Sequence, residues 1–246
     1  MIQKQLDRFN WNDTVWNQAP DHFDTRQPDV IRHWAQRSDL VNLHPLNTFY
    51  LLDTRKGNYP ENTIIFDTQR GMIKTPKTSH ELIAGLIRQM SFGDRHLTRM
   101  LIDKLEFSRS RMPVIKGDAE FVPLGPVSRE ATNWVGVHQV TAVQPGQLQT
   151  QLTFCHQLQL IVKQSHYQLE RQFKEAHRLR EHLMSEYETQ NRYRFSQSFE
   201  TTRQSLMSAA KHQQVYDLCV HMLTVRGYPI IPAEINLDIE RYFGKL

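Results

Sequence analysis

Val114-Ile115-Lys116-Gly117-Asp118-Ala119-Glu120-Phe121-Val122-Pro123 reads as two short strands joined by a tight turn. Val114-Ile115 and Phe121-Val122 supply the β-branched and aromatic residues that suit a pleated, half-buried surface, and Lys116-Gly117-Asp118 supplies the turn. Pro123 and Pro126 then withhold the N–H that a continuing strand requires. Downstream, Trp134-Val135-Gly136-Val137-His138-Gln139-Val140 reads as one strand in which Gly136 permits a bulge or a close backbone approach. Beyond the Gln144-Pro145-Gly146 turn, Leu148, Thr150, Leu152 and Phe154 alternate with Gln147, Gln149, Gln151 and Thr153. Leu158, Leu160 and Val162 alternate in the same way with Gln157 and Gln159. This period of two predicts a sheet with one wet face and gives three strands after the hairpin.

From Ser165 to Tyr187 the period changes. Leu169, Phe173, Ala176, Leu179, Leu183 and Tyr187 fall on one helical face, and Arg171, Lys174 and Arg178 fall on the opposite one, diluted by Glu170, Glu175 and Glu181. Upstream, Thr48-Phe49-Tyr50-Leu51-Leu52 and Thr63-Ile64-Ile65-Phe66 read as strands. Leu82, Ile83, Leu86, Ile87 and Met90 form a helical face, with Thr78 and Glu81 as a capping box. Residues 1–45 hold three of the four tryptophans, Trp11, Trp16 and Trp34, which pin that segment onto the body, and Val30 to Ala35 reads as a short helix capped by Asp29. Residues 191–246 read as helical, with a last helix around Ile235 to Phe243 after Pro232. The fold class expected is α+β: a mostly antiparallel β-sheet body with a packed long amphipathic helix and a helical C-terminal tail.

The chain of 246 residues has 39% hydrophobic and 23% charged residues, ordinary globular values. Its formal charge is +4 and its pI near 9.1, a modest excess that favours a polyanionic partner. Between Arg88 and Lys116 seven lysines and arginines face three acids, a local excess equal to that of the whole chain. Phe92, Gly93 and the Ser108-Arg109-Ser110-Arg111 run are read there as exposed loops from which arginines reach a phosphate backbone or enter a groove. Cys155 and Cys219 lack CxxC spacing and are expected to be reduced, buried thiols. His138 has no second His, Cys or carboxylate at metal spacing beside it, and no metal or cofactor is expected. Asp53 and Asp67, near strand ends, read as turn formers. With no GxSxG, P-loop, HExxH or Rossmann glycine pattern, the chain is not expected to be an enzyme. The N-terminus has polar and charged residues where a signal peptide has its apolar core, and no apolar run reaches about 18 residues. A soluble cytoplasmic protein without a membrane partner is expected.

Residues 46 to about 190 resemble the ComK family of competence transcription factors. The resemblance is carried by the order of Thr48 to Leu52, Thr63 to Phe66, Ser91-Phe92-Gly93-Asp94-Arg95, Arg111-Met112-Pro113-Val114-Ile115, Phe121-Val122-Pro123-Leu124, Trp134 to Val140, and Gln151-Leu152-Thr153-Phe154 leading into the Tyr167 to Met184 helix. It implies a DNA-binding activator of DNA-uptake genes that recognises paired AT-rich boxes of double-stranded DNA, largely through the minor groove, and assembles as dimers. On that reading residues 1–45 are a Trp-rich extension, 46–190 the DNA-binding domain and 191–246 a helical tail open to a regulatory protein partner. Arg95, Arg99, Arg109, Arg111 and Lys116 are then the candidates for phosphate or minor-groove contact, with Arg171, Lys174 and Arg178 beside them. The alternative is a non-catalytic interaction module that keeps the fold without binding DNA and uses the tryptophan-rich N-terminus or the tail.

Overall fold

In a computed structural model, residues 11–90, 92–127, 131–146, 149–201, 216–221, 223–224 and 231–243 are described. The chain divides into two compact units, Met1–Tyr187 and Glu188–Leu246. The fold is α+β with mostly antiparallel pairing, as the sequence patterns predict.

Among the described residues the first unit has a single helical turn, α1 (Asp13–Trp16), then β1 (His22–Asp24), α2 (Pro28–Trp34) and β2 (Gln36–Arg37). The central strands β3 (Thr48–Asp53), β4 (Thr63–Asp67) and β5 (Gly71–Thr75) follow, then helices α3 (Ser79–Arg88) and α4 (Phe92–Lys104). The hairpin β6 (Val114–Lys116) and β7 (Ala119–Pro123) comes next, then β8 (Trp134–Gly136), β9 (Val140–Pro145), β10 (Thr150–Phe154), β11 (Gln159–Val162) and the long helix α5 (His166–Thr201). The hairpin turns at Gly117, whose φ of 59° is the left-handed conformation that glycine adopts without steric cost. Seven strands form one sheet in the order β2-β5-β4-β3-β8-β7-β6, and four form a second in the order β1-β11-β10-β9. Among the described residues, only β1–β11 and β2–β5 pair in parallel. In the second unit, α6 (Pro232–Phe243) buries Ile235 and exposes Leu237.

The central strands are buried almost throughout because both faces of the larger sheet are covered. Ile64 and Phe66 enter a core shared with Leu152, Phe154, Leu160 and Val162 of the smaller sheet and with Leu169, Ala176, Leu179 and Leu183 of α5. Leu51, Ile65 and Ile73 point the other way, onto Leu82, Ile83 and Leu86 of α3. A bulge between Thr48 and Tyr50 breaks the alternation and lets Phe49 and Tyr50 both enter the shared core. There the Phe49 and Phe154 rings, one from each sheet, lie 4.9 Å apart. Trp16 is buried, its indole N–H donates to the Asp67 carbonyl at 3.2 Å, and Trp11 stacks on it at 4.9 Å. Trp34 remains 38% exposed, so two of the three N-terminal tryptophans secure the segment.

Helix α3 starts as the sequence predicts. The Thr78 hydroxyl accepts from the Glu81 N–H at 3.1 Å, and the Thr78 N–H donates to the Glu81 carboxylate at 2.7 Å. Helix α2 differs from expectation: it begins at Pro28, whose locked φ suits the first helical position, with Gln27 before it and no side-chain cap. Asp29 therefore lies in the first turn, near Tyr59, and its carboxylate helps to push the Tyr59 hydroxyl's pKa up. The segment read as a loop at Phe92 and Gly93 belongs to α4. Of the thiols, Cys155 is buried and Cys219 half-buried. Thr153, assigned to the wet face, is buried as well.

The main departure is at Trp134 to Val140, where one strand was expected and two are present. Strand β8 ends at Gly136, a turn of 3-10 helix spans Val137–Gln139, and β9 then enters the other sheet, so four strands follow the hairpin. A β-carbon on Gly136 would lie 3.0 Å from the Phe49 Cα and 3.1 Å from the Thr48 carbonyl oxygen. Gly136→Ala is therefore expected to destabilise the body by about 1–3 kcal/mol, because rigid backbone must move to admit the methyl group. Gly125→Ala, whose new carbon would lie 3.6 Å from the Thr132 hydroxyl, is expected to stay within about 0.5 kcal/mol of the parent. Urea midpoints measured at unchanged m-value check both.

Candidate nucleic-acid interface

Helix α4 buries Thr98, Leu101 and Ile102 and turns Arg99, Met100, Asp103 and Lys104 to solvent. Its end is sharp. Glu106 takes a left-handed φ of 56°, and the Phe107 N–H reaches back to the Ile102 carbonyl at 3.0 Å, closing the last turn. The chain reverses into a turn of 3-10 helix, Arg109–Arg111, flanked by the half-buried Phe107 and Met112, which pack against the shared core. The Ser108 and Ser110 hydroxyls meet at 2.9 Å, and the Val127 N–H donates to the Ser110 carbonyl at 2.7 Å. The arginine run is thus an ordered corner, with Arg109 fully outward.

Arg109 forms a two-pronged pair with Asp103: its Nε donates at 2.9 Å and its Nη2 at 2.8 Å, one to each carboxylate oxygen. The half-buried Arg111 guanidinium abuts the side-chain amide of Gln168 in the first turn of α5. That contact joins the corner to the helix whose outer face carries Arg171, Lys174 and Arg178, all exposed. Arg171 lies 3.5 Å from Glu175 and Lys174 lies 3.8 Å from Glu170, one helical turn away in each case. Arg99 is exposed on α4. The Arg95 side chain, and Ser91, lie outside the described residues.

Lys116 is placed elsewhere. It lies at the turn end of β6, with its ammonium on the Gln89 side-chain oxygen at 2.8 Å. It lines a small cavity of about 90 Å³ with Gln89, Ile115, Arg180, Met184 and Tyr187. From Gln168 to Met184 is about 24 Å along the helix axis, so Lys116 belongs to a different part of the surface from Arg111.

Helix α5 is held to the body by polar as well as apolar contacts. The Gln172 side chain donates to the Pro123 carbonyl at 3.4 Å, and Gln164, just before the helix, donates to the Leu124 carbonyl at 2.7 Å. Further along, Glu120 of β7 is buried beneath the helix. Its carboxylate faces His177 at 3.5 Å and Arg180 at 3.6 Å, and Arg180 also pairs with Asp118. Burial raises the Glu120 carboxyl above its usual range, and His177 and Arg180 oppose that shift. The sequence reading assigned no role to Glu120 or to Asp103. An acid inside the apolar run Ala119 to Val122 was the visible signal for Glu120. The pairing of Asp103 with Arg109 depends on the chain reversal at Glu106, for which residue types give no cue.

Asp53 and Asp67 hold turns. Asp67 accepts from the Thr48 hydroxyl, from the N–H groups of Gln69 and Arg70, and from the Arg70 guanidinium at 2.7 Å. Asp53 pairs with Arg55 at 2.9 Å and accepts from the Ser79 hydroxyl at 3.1 Å. Among the described residues no three His, Cys, Asp or Glu side chains are grouped to hold a metal ion, and no helix is long and apolar enough to cross a membrane. No family model, no curated protein and no solved structure matches this chain.

His138 stands in the turn between the sheets, where its Nδ1 accepts from the Glu120 N–H at 3.2 Å and its ring meets that of Phe121 edge-on. Burial pulls its pKa down from 6.5 to about 4. A depressed folded-state pKa means that the unfolded chain binds the proton more tightly, so the contribution is complete above about pH 6.5 and is lost as pH falls towards about 4. The loss should reach about 3 kcal/mol. Urea titrations across that range should show His138→Asn losing less stability on acidification than the parent by about that amount. Parallel curves for the two proteins would place the acid sensitivity in other groups.

Proposed function

We propose that the protein is a ComK-like, DNA-binding transcriptional activator of DNA-uptake genes. The observation that carries the reading is the junction of two outward cationic elements. The Arg109–Arg111 turn meets the first turn of α5 through Arg111 and Gln168, and the helix continues the surface with Arg171, Lys174 and Arg178. From Gln168 to Arg178 is about 15 Å, a length over which duplex DNA presents about nine phosphates. A rigid row of cations of that length suits a phosphate backbone, and the exposed arginines Arg99 and Arg109 suit a narrow, strongly negative AT-rich minor groove. The order of strands and helix quoted for the family resemblance supports the same reading. On this proposal the protein acts in the cytoplasm, as a dimer on paired boxes, without a cofactor. Lys116, set apart in its cavity, is the weakest of the candidates.

A second reading, an interaction module, is favoured by the apolar side chains left outside around α2. Val30 and Trp34 are exposed there, and Leu40 is 95% exposed. Exposed apolar residues at this density belong to a surface that meets another protein more readily than to one that meets DNA.

Fluorescence-anisotropy titration against an AT-rich duplex with paired boxes and a GC-rich control, at two salt concentrations, separates the two. The DNA reading expects a preference for the AT-rich duplex that persists at the higher salt. It also expects Arg109→Ala/Arg111→Ala to lower affinity and to reduce the salt slope by about one to two. Equal binding to both duplexes that salt abolishes, or a double variant that binds as the parent does, refutes it.

A further inference from the structure

We propose that Asp103 occupies, in the free protein, the place that a DNA phosphate takes in the complex, so that Arg109 binds nucleic acid by exchanging one anion for the other. The inference rests on the DNA-binding reading above and assigns to that surface an acidic residue that sets its affinity.

The geometry points this way in three respects. First, the pair is a fork on a fork: Nε and Nη2 of Arg109 each bond a different oxygen of Asp103, at 2.9 and 2.8 Å. That arrangement of two parallel donors is the one by which a guanidinium recognises carboxylate and phosphate alike. Second, both partners are open to water, with 79% of the Arg109 side chain and 51% of the Asp103 side chain exposed. An ion pair so exposed to water adds little stability, little enough for a polyanion to displace. Third, Asp103 stands in the last turn of α4, where a negative charge meets the negative end of the helix dipole. The position disfavours an acid on local grounds, and the bond to Arg109 is the contact that offsets the cost.

The chain path makes the pair possible. The left-handed Glu106 and the Phe107-to-Ile102 closure reverse the chain, returning Arg109 over the turn of helix that it has just left. The result is an arginine held extended and outward with its fork already filled. A phosphate that takes this Nε–Nη2 edge must first displace the carboxylate, which lowers affinity for every duplex at this contact and leaves discrimination to the remaining contacts.

The test is a two-by-two set of full-length proteins, namely the parent, Asp103→Asn, Arg109→Ala and the double variant, titrated against the AT-rich duplex at two salt concentrations. Asp103→Asn preserves shape at an exposed site and removes the competing charge. The inference expects it to bind roughly three- to tenfold tighter than the parent, with a salt slope steeper by up to about one. In the Arg109→Ala background the same substitution should change little, because the effect passes through Arg109. Equal tightening in both backgrounds would reduce Asp103 to a general repulsive charge and overturn the exchange. Weaker binding by Asp103→Asn would make it a residue that positions Arg109, which also overturns it. If the parent and all variants fail to bind the duplex, the DNA reading itself falls. If Arg109→Ala weakens binding while Asp103→Asn matches the parent, the DNA reading stands and the exchange alone is refuted.

Discussion

The contact on which the first unit depends is the approach of the Gly136 backbone to that of Phe49. A strand crossing so near its neighbour has no room for a side chain, and just past that point the chain leaves one sheet and enters the other. The turn that makes the transfer is sealed by polar groups reaching into the body. Gln139 donates to the Leu46 carbonyl at 2.7 Å, and His138 accepts from the Glu120 N–H. With the corner fixed, the Phe49 and Phe154 rings meet across the sheets, and the groove in which Leu169, Ala176 and Leu179 of α5 lie acquires its two walls. The orientation of the helix, and so of its outward arginines, follows from a turn in which no arginine takes part.

Charge is distributed on two levels. Inside, Glu120 is surrounded by His177, Arg180 and Asp118, a group that fastens the helix at one register because a buried carboxylate without its partners is costly. Outside, cations and acids are interleaved at one-turn spacing, so the surface carries its own counterions. Arg109, Arg171 and Lys174 each face an acid of the same chain. The modest net charge is consistent with that arrangement.

Much of the framework was legible because it obeys simple periods. The alternation through Leu152 and Phe154, the 3.6-residue face from Leu169 to Tyr187 and the Thr78–Glu81 box each have a local cause, and each has the structure that cause dictates. The errors share a different origin. Gly136 was recognised as a place of close approach, but a sheet switch depends on where β3 and β10 lie, and neither is adjacent in sequence. Phe92 and Gly93 were read as exposed loop because glycine weakens a helical pattern, yet they begin α4, where burial of Leu101 and Ile102 outweighs that propensity. Asp29 looked like a cap until Pro28, with its φ already set, took the first helical position. The cationic surface was foreseen as a list of residues. Its division, with Arg111 beside α5 and Lys116 in a separate cavity, is a product of tertiary structure.

The buried thiol of Cys155 gives the protein an internal clock. Its sulfur donates to the Gln139 carbonyl at 3.6 Å, directly behind the turn that joins the sheets, and burial pushes its pKa up. A thiol in that condition neither ionises readily nor meets an alkylating reagent while the corner is closed. The more accessible Cys219 supplies a reference in the same chain. The lag between modification of the two sulfurs therefore measures how often the junction between the sheets opens, a rate that equilibrium denaturation does not report.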